Sequence, residues 1–361
     1  MSLDHVTLAR FRNHADTRLD GTGRLNLLVG DNGAGKTNVL EALSLLAPGR
    51  GLRRGALPEM ASDGAGAFAV SAQLDCRDGR EPVRIGTGTQ AERPGRRLVQ
   101  VNGAEASAAA LGEWLALGWL TPAMDGLFSD SAGARRRYLD RLAVALEPAH
   151  ARHASRYEAA LRERNRLLAE DGEPDPRWLD SLETQLAAAG AALAQGRARL
   201  VEKLASETWA QADSVFARPA LTYVPGGPLD LDGLAAELAR QRPRDRAAQR
   251  TLTGPHRDEL EVTLAASGTP AAQGSTGEQK ALLISLTLAH AMLAAAGRPG
   301  VLLLDEVAAH LDPLRRAALF ERLRAGQAQV WLTGTEAAPF AGIEDEAAVW
   351  RVVRGAVAKL S

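Results

Sequence analysis

Apolar and polar positions change period several times along the chain. Val6 to Phe11 and Leu25 to Val29 read as strands, the second a mostly apolar run suited to burial, with Gly21 and Gly23 in the loop between them. Asn38 to Leu46 then carries Val39, Leu40, Leu43 and Leu46 at helical spacing, followed by an Arg- and Gly-rich connector from Gly49 to Gly55. From Ala67 to Val101 the period drops to two. Phe68, Val70, Ala72 and Leu74 alternate, Asp78-Gly79 offers a hairpin turn, Val83-Arg84-Ile85 returns, and Leu98 to Val101 ends at a second turn dipeptide, Asn102-Gly103. This predicts a small antiparallel sheet beside an α/β core.

Between Ser131 and Phe216 the period is helical, in two long segments separated by Asp171-Gly172-Glu173-Pro174-Asp175-Pro176. Leu179, Leu186, Leu193 and Leu200 recur every seven residues, with Leu182 and Ala189 between them, which is a seam for another helix. Each segment, at ~1.5 Å per residue, would reach roughly 60 Å, so a stubby antiparallel arm is expected. Pro219 to Gly233 reads as a connector and Leu234 to Arg240 as a shorter helix, followed by Arg242, Arg244, Arg246 and Arg250. Glu261 to Leu264, Val301 to Leu304, Val330 to Thr333 and Val349 to Val353 read as strands, and the unalternating runs suit parallel strands buried on both faces. Residues 1–125 are expected to form an α/β lobe with the antiparallel sheet, 126–251 a helical arm lobe, and 252–361 the C-terminal part of the α/β lobe.

With 361 residues, 45% hydrophobic and 24% charged, the chain is globular in composition. The single cysteine, Cys76, excludes an intrachain disulfide and fits a reducing, cytoplasmic setting. The first residues carry neither a basic nor an apolar leader segment, so no signal peptide is indicated. Ala281 to Gly297 is long and apolar, but Ser285, Thr287 and His290 interrupt it, so a buried helix rather than a membrane span is expected. A net charge of −1 means that any nucleic-acid contact must come from a local patch.

Gly30-Asp31-Asn32-Gly33-Ala34-Gly35-Lys36-Thr37 fits the P-loop pattern at every fixed position, with a strand before it and a helix after it. Its glycines let backbone N–H groups turn toward a polyphosphate, and the following helix points its positive end at the same anion. Lys36 would reach the β- and γ-phosphates of ATP, and Thr37 would ligate Mg²⁺. Val301 to Glu306 has the Walker B form. It brings Asp305 to the sheet edge as a second metal ligand and Glu306 one residue further out, where an attacking water is polarised. Lys36, Asp305 and Glu306 are thus the expected catalytic set. Ser275-Thr276-Gly277-Glu278-Gln279-Lys280 opens the apolar helix. Ser275 and Glu278 have capping-box spacing, and a capped terminus still presents free N–H groups.

A Ser-x-Gly at a helix start before Walker B resembles the signature motif of ABC-type ATPases, and Ala308-Ala309-His310-Leu311-Asp312 resembles their D-loop. Phe11-Arg12-Asn13, Arg135-Arg136-Arg137-Tyr138-Leu139-Asp140, Thr253-Gly254-Pro255-His256-Arg257-Asp258 and Thr333-Gly334-Thr335 add a resemblance, across essentially the whole chain, to the RecF family of bacterial recombination mediators. The resemblance implies an α/β ABC-type head, with a mixed sheet, an antiparallel β subdomain and an inserted helical arm. It also adds Arg12, Asn13, Ser275, Gly277 and Asp312 to the ATP site. The implied activity is slow, DNA-stimulated ATP hydrolysis that gates a head-to-tail homodimer on double-stranded DNA and at single-strand/double-strand junctions, with RecR-type and RecO-type partners, to help load a recombinase. Two positions depart from the family pattern. Thr121-Pro122-Ala123-Met124-Asp125 replaces a Pro-Glu-Asp Q-loop, and Walker B ends Asp305-Glu306 rather than Asp-Asp. No transporter-type switch histidine follows Val330 to Thr333, leaving Thr333 or Thr335 as its substitute. Arg53, Arg54, Arg135, Arg136 and Arg137 are the DNA-contact candidates, with Arg96-Arg97 and the Arg240 to Arg250 run behind them. A transporter ATPase subunit is the alternative, disfavoured by the absent histidine, the arm and the long separation of Lys36 from Asp305. A small-molecule P-loop kinase is disfavoured by the signature.

Overall fold

The computed structural model describes residues 2–75, 81–172, 174–210, 215–295, 298–308 and 311–360. Cys76, the expected turn at Asp78-Gly79 and the Ala309-His310 part of the D-loop reading lie outside them. In chain order the first elements are β1 (Ser2–Phe11), β2 (His14–Leu19), β3 (Leu25–Val29), α1 (Lys36–Ser44), α2 (Leu57–Met60), β4 (Ala69–Asp75), β5 (Val83–Gln90), β6 (Arg93–Val101), β7 (Ala104–Glu105), α3 (Leu111–Trp114) and β8 (Ala116–Leu120). Then come α4 (Ala132–Leu146), α5 (Ala149–Ala169), α6 (Pro176–Ala210), β9 (Pro219–Val224), α7 (Leu231–Ala247) and β10 (Glu259–Leu264). The chain closes with α8 (Thr276–Ala294), β11 (Gly300–Leu304), α9 (Pro313–Ala325), β12 (Gln329–Gly334), β13 (Ala347–Val353) and β14 (Ala356–Lys359). Residues 1–125, 213–216 and 283–361 form one compact unit, and residues 126–212 and 217–282 another. Residues 252–282, expected in the C-terminal part of the α/β lobe, fall in the second unit because β10 pairs along its whole length with β9.

The first unit holds two six-stranded sheets, ordered β2-β1-β4-β5-β6-β7 and β14-β13-β3-β12-β11-β8. Pairing in the first is antiparallel; in the second it is parallel except for β13 with β14. One apolar core joins Leu8, Phe11, Val70 and Ile85 of the antiparallel sheet, Val39, Leu40 and Leu43 of α1, and Leu28, Leu303, Trp331 and Val352 of the parallel sheet. Burial from both sides explains why β3, β11 and β12 lack polar alternation. Among the strands that the sequence reading missed are β2 and β8. The expected loop after Phe11 is strand β2, whose exposed Ala15, Asp16 and Arg18 hide its strand character. Ala116–Leu120 is a fully buried edge strand, too short and Gly-interrupted for its period to declare itself.

In the second unit the expected first long helix is two, α4 and α5, because Glu147-Pro148 lies between them and proline cannot donate to a preceding turn. The expected connector from Pro219 begins with β9, whose Leu221-Thr222-Tyr223-Val224 is strand-forming and pairs with β10. The helix expected from Leu234 to Arg240 runs from Leu231 to Ala247 and takes in Pro243. Along α5, Arg166, Arg164, Tyr157 and His150 meet Trp178, Glu183, Gly190 and Gly196 of α6, an inverse order that makes the pair antiparallel. The heptad seam from Leu179 to Leu200 is buried, and Gly190 and Gly196 allow the rings of Tyr157 and His150 to close on the α6 backbone. No helix among the described residues is long and apolar enough to cross a membrane.

Arg164 is fully buried and ties this unit together. It donates to Glu183 (3.0 Å), Asp245 (2.7 Å), Thr251 (2.8 Å) and the Leu238 carbonyl (3.1 Å). Removing one partner of a buried ionic network leaves the others uncompensated, so Arg164→Met is expected to destabilise the helical unit by about 3–5 kcal/mol. Urea unfolding followed by far-ultraviolet circular dichroism reads this directly, and a loss below about 1 kcal/mol would show that Glu183 and Asp245 do not depend on the guanidinium.

Candidate functional site

The P-loop is shaped by what it packs against. A Cβ on Gly30 would lie 2.2 Å from the Val352 carbonyl oxygen, so the loop can cross β13 only with glycine there. Gly35 caps α1 with φ +118°, and a Cβ there would meet the Asn13 amide and His14 Nε2 within 2.9 Å. Asn13 Nδ2 donates to the Ala34 carbonyl (3.0 Å) and Asn38 Nδ2 donates to Asn13 Oδ1 (2.8 Å). Among the described residues the amides of Gly33, Gly35, Lys36 and Thr37 make no hydrogen bond, so the loop and the first turn of α1 present unpaired N–H groups. Asp31, Asn32 and Gly33 are exposed, whereas Ala34, Gly35 and Lys36 are buried.

Lys36 Nζ curls over the loop and donates to the carbonyls of Gly30 (2.6 Å) and Asp31 (2.9 Å). Thr37 Oγ1 donates to Asp305, at 2.9 Å from Oδ1 and 3.1 Å from Oδ2. The parallel register of β11 between β8 and β12 carries Asp305 to the carboxyl edge of the sheet, where its amide donates to the Leu120 carbonyl. Burial raises the Asp305 pKa, opposed by the hydroxyls of Thr333 and Thr37. A hydroxyl and a carboxylate meeting here are hard oxygen donors of the kind Mg²⁺ takes. The described residues contain no cluster of three or more His, Cys, Asp or Glu able to enclose a metal. Glu306 follows with φ +53°, its amide donating to Thr333 Oγ1 (2.9 Å).

Two side chains that the motifs did not identify hold these parts. Glu41, fully buried one turn after Thr37, receives Arg12 in a bidentate pair (2.9 and 2.8 Å) and Arg53 Nη1 (3.1 Å). Its signal was an acid inside the otherwise apolar run Val39-Leu40-Glu41-Ala42-Leu43. His14 is buried with Nε2 3.1 Å from the Gly35 carbonyl and Nδ1 3.0 Å from Thr17 Oγ1. Burial lowers its pKa, and a carbonyl only accepts, so the neutral ring must carry its hydrogen on Nε2. A histidine beside Asn13 was its only trace in the sequence.

The signature lies at the start of α8, with Ser275, Thr276 and Gly277 exposed. Ser275 Oγ donates to Glu278 Oε2 (2.8 Å), which also receives the Ser275 amide (2.8 Å), and the Glu278 amide donates back to Ser275 Oγ (3.3 Å). This is a capping box. Asp312 caps α9 by accepting from the Arg315 amide (2.9 Å). The DNA candidates divide. Arg135 forms a bidentate pair with Glu259 (2.7 Å twice), Arg136 donates to the Asp258 carbonyl (2.8 Å), and Arg53 serves Asn38 and Glu41. Arg54 and Arg137 are exposed. Arg96 pairs with Glu105, Arg240 with Glu237, and Arg242 with Glu183, while the Arg97 guanidinium lies on the carbonyls of Leu45, Ala47 and Gly49 beyond α1.

The chain matches the RecF/RecN/SMC N terminal domain model over residues 2–356. It is 46% identical to the DNA replication and repair protein RecF of Mesorhizobium japonicum over 370 residues, which cover 98% of this chain and 97% of that protein. Two solved structures of the recombination mediator protein RecF share its fold. One has a TM-score of 0.86 and covers 100% of this chain and 98% of its own; the other has 0.84 and covers 99% and 97%; each is 24% identical. These matches give no support to the alternative of a transporter subunit. Matched in this way over nearly its whole length, the chain belongs to the RecF family.

Proposed function

We propose that the chain is an ATP-dependent DNA-binding switch of recombinational repair and replication-fork maintenance. ATP lies along Gly30 to Thr37, with Lys36 at the β- and γ-phosphates, the free amides of the loop around them, and Arg12 and Asn13 at the rim. Mg²⁺, held by Thr37 and Asp305, would neutralise charge on the phosphate oxygens. Glu306 orients the attacking water. Two copies face head to tail, so that Ser275 and Gly277 of one grip the γ-phosphate bound at Lys36 of the other, with Asp312 at the same interface. Hydrolysis removes the group that is gripped and lets the dimer part. The observation that carries this reading is the Lys36–Thr37–Asp305 grouping beneath an open helix start, joined to an exposed signature whose cap leaves N–H groups available.

The switch acts in the cytoplasm on double-stranded DNA and single-strand/double-strand junctions, with RecR-type and RecO-type partners, helping to load a recombinase. Support comes from the curated relative's designation as a DNA replication and repair protein, and from a solved structure of the same fold described as RecF–ATP in the RecFOR pathway. Arg53, Arg54 and Arg137 are the exposed arginines of the candidate set. Arg53 and Arg135 contribute to DNA contact only if they leave Glu41 and Glu259.

Glu306→Gln keeps the side chain's shape without its carboxylate. Turnover should fall on the order of 10²-fold or more while ATP binding persists, and an ATP-bound dimer should accumulate. Ser275→Arg should bind ATP as a monomer. Size-exclusion chromatography with light scattering on both variants decides it. A monomeric Glu306→Gln protein at saturating ATP, or a Ser275→Arg protein that dimerises and hydrolyses normally, would sink the head-to-tail mechanism.

DNA affinity should rise with ATP, show little sequence preference and fall steeply with salt, with a log–log slope of about −0.9 per phosphate neutralised. Fluorescence anisotropy of a labelled duplex across a salt series measures it. A flat salt response would remove the arginines from the argument.

A further inference from the structure

We infer that Thr333, at the end of β12, is a positioning residue for Glu306, an inference that rests on the ATP-hydrolysis reading above. β12 pairs in parallel with β11 on one side and β3 on the other, with Leu332 opposite Leu304, so the next residue out, Thr333, faces the turn that begins at Asp305. The Thr333 side chain is buried, and both halves of its hydroxyl are committed. Oγ1 donates to Asp305 Oδ1 (2.8 Å) and accepts from the Glu306 amide (2.9 Å). A hydroxyl has one hydrogen, so giving it to the carboxylate leaves the lone pairs for the amide and fixes the rotor from both ends.

The amide so held belongs to a residue in a costly conformation. Glu306 has φ +53°, a left-handed backbone that a residue with a Cβ keeps only where its surroundings hold it. Asp305 is held from two sides, by Thr37 of the P-loop and Thr333 of β12, while the Glu306 backbone is held by Thr333. The backbone from which the Glu306 carboxylate is aimed therefore depends on one hydroxyl. Thr335, the other residue expected to stand in for a switch histidine, is exposed.

In the reaction, a water oxygen bonds to the γ-phosphorus as that atom's bond to the bridging oxygen breaks. This yields ADP and inorganic phosphate, with the water's proton passing toward Glu306. Losing the Thr333 hydroxyl frees the Glu306 backbone without touching Lys36, so the chemical step should slow while ATP binding stays intact.

Thr333→Val removes the hydroxyl at nearly constant volume, Thr333→Ala removes it with less bulk should valine not fold, and Thr333→Ser keeps it. ATP affinity by titration and kcat from phosphate release are measured on all three, on Glu306→Gln and on the Thr333→Val/Glu306→Gln double variant. Thr333→Val should lose on the order of 10²-fold in kcat, as a misplaced catalytic group does, with ATP affinity within about 3-fold of the parent. Thr333→Ser should keep most of the turnover. The double variant should be no slower than Glu306→Gln, because both changes remove one function. Normal turnover in Thr333→Val or Thr333→Ala, failure of serine to restore it, parallel loss of ATP affinity, or additive losses in the double variant would each overturn the inference. Normal turnover in Glu306→Gln would instead overturn the reading it rests on.

Discussion

Helix α1 is buried along almost its whole length, and that constraint decides where chemistry is possible in the first unit. Val39, Leu40, Ala42 and Leu43 meet apolar residues from both sheets, so the polar groups of α1 reach solvent only at its first turn. The same burial creates the demand met by Arg12 and Arg53. A carboxylate inside an apolar layer is costly unless paired, and Glu41 is fully buried. Arg12 arrives from the turn between β1 and β2, and Arg53 from the connector after α1. One acid inside the helix thus fixes two loops beside the P-loop, and Arg12 is held at φ +53° in the process.

The parts legible in the sequence were those whose physics is local. The P-loop is spelled by eight consecutive residues, Gly30 to Thr37, although what requires glycine at Gly30 and Gly35 is the approach of Val352, Asn13 and His14 from elsewhere in the chain. The apolar strands around Asp305 and Thr333 and the leucine seam of α6 are likewise periodic. What stayed hidden depended on partners distant in sequence. Strand β2 shows polar residues because only one face is buried, β9 is fixed by its pairing with β10, and β8 is defined by pairing with β11. His14 and Glu41 carry no motif. Their roles come from Gly35, Thr17, Arg12 and Arg53, which surround them only in the folded chain.

Arginine content misleads for the same reason. Two clusters that look like nucleic-acid contacts in the sequence are partly ion-paired within the second unit, Arg135 to Glu259 and Arg242 to Glu183, and arginines outside those clusters are its internal cations. Arg197 donates to both oxygens of Asp140 and to Asp258, and Arg164 binds Glu183 and Asp245. Burial alone would push the Asp140 carboxyl up, but His150 and Arg197 outweigh it and hold it down at about 2. An ionised acid here is therefore part of the packing, and it keeps Arg197 directed at the segment Thr253 to Asp258.

That segment shows how a motif can encode scaffolding. Asp258 accepts from Arg197, Tyr223 and the Gly226 amide, its carbonyl receives Arg136, and His256 Nδ1 lies 2.7 Å from the Tyr157 hydroxyl. Five elements, α4, α5, α6, β9 and the turn after β9, are fastened to six residues, and of that segment's side chains Arg257 is the exposed one. The signature follows a different logic. At Ser275 the capping box satisfies the serine hydroxyl and the Glu278 amide while leaving Ser275, Thr276 and Gly277 exposed. For Ser275 to grip a phosphate as proposed, its hydroxyl must turn away from Glu278, to which its one hydrogen is donated, whereas the exposed start of the helix it caps can meet an anion through the backbone as it stands.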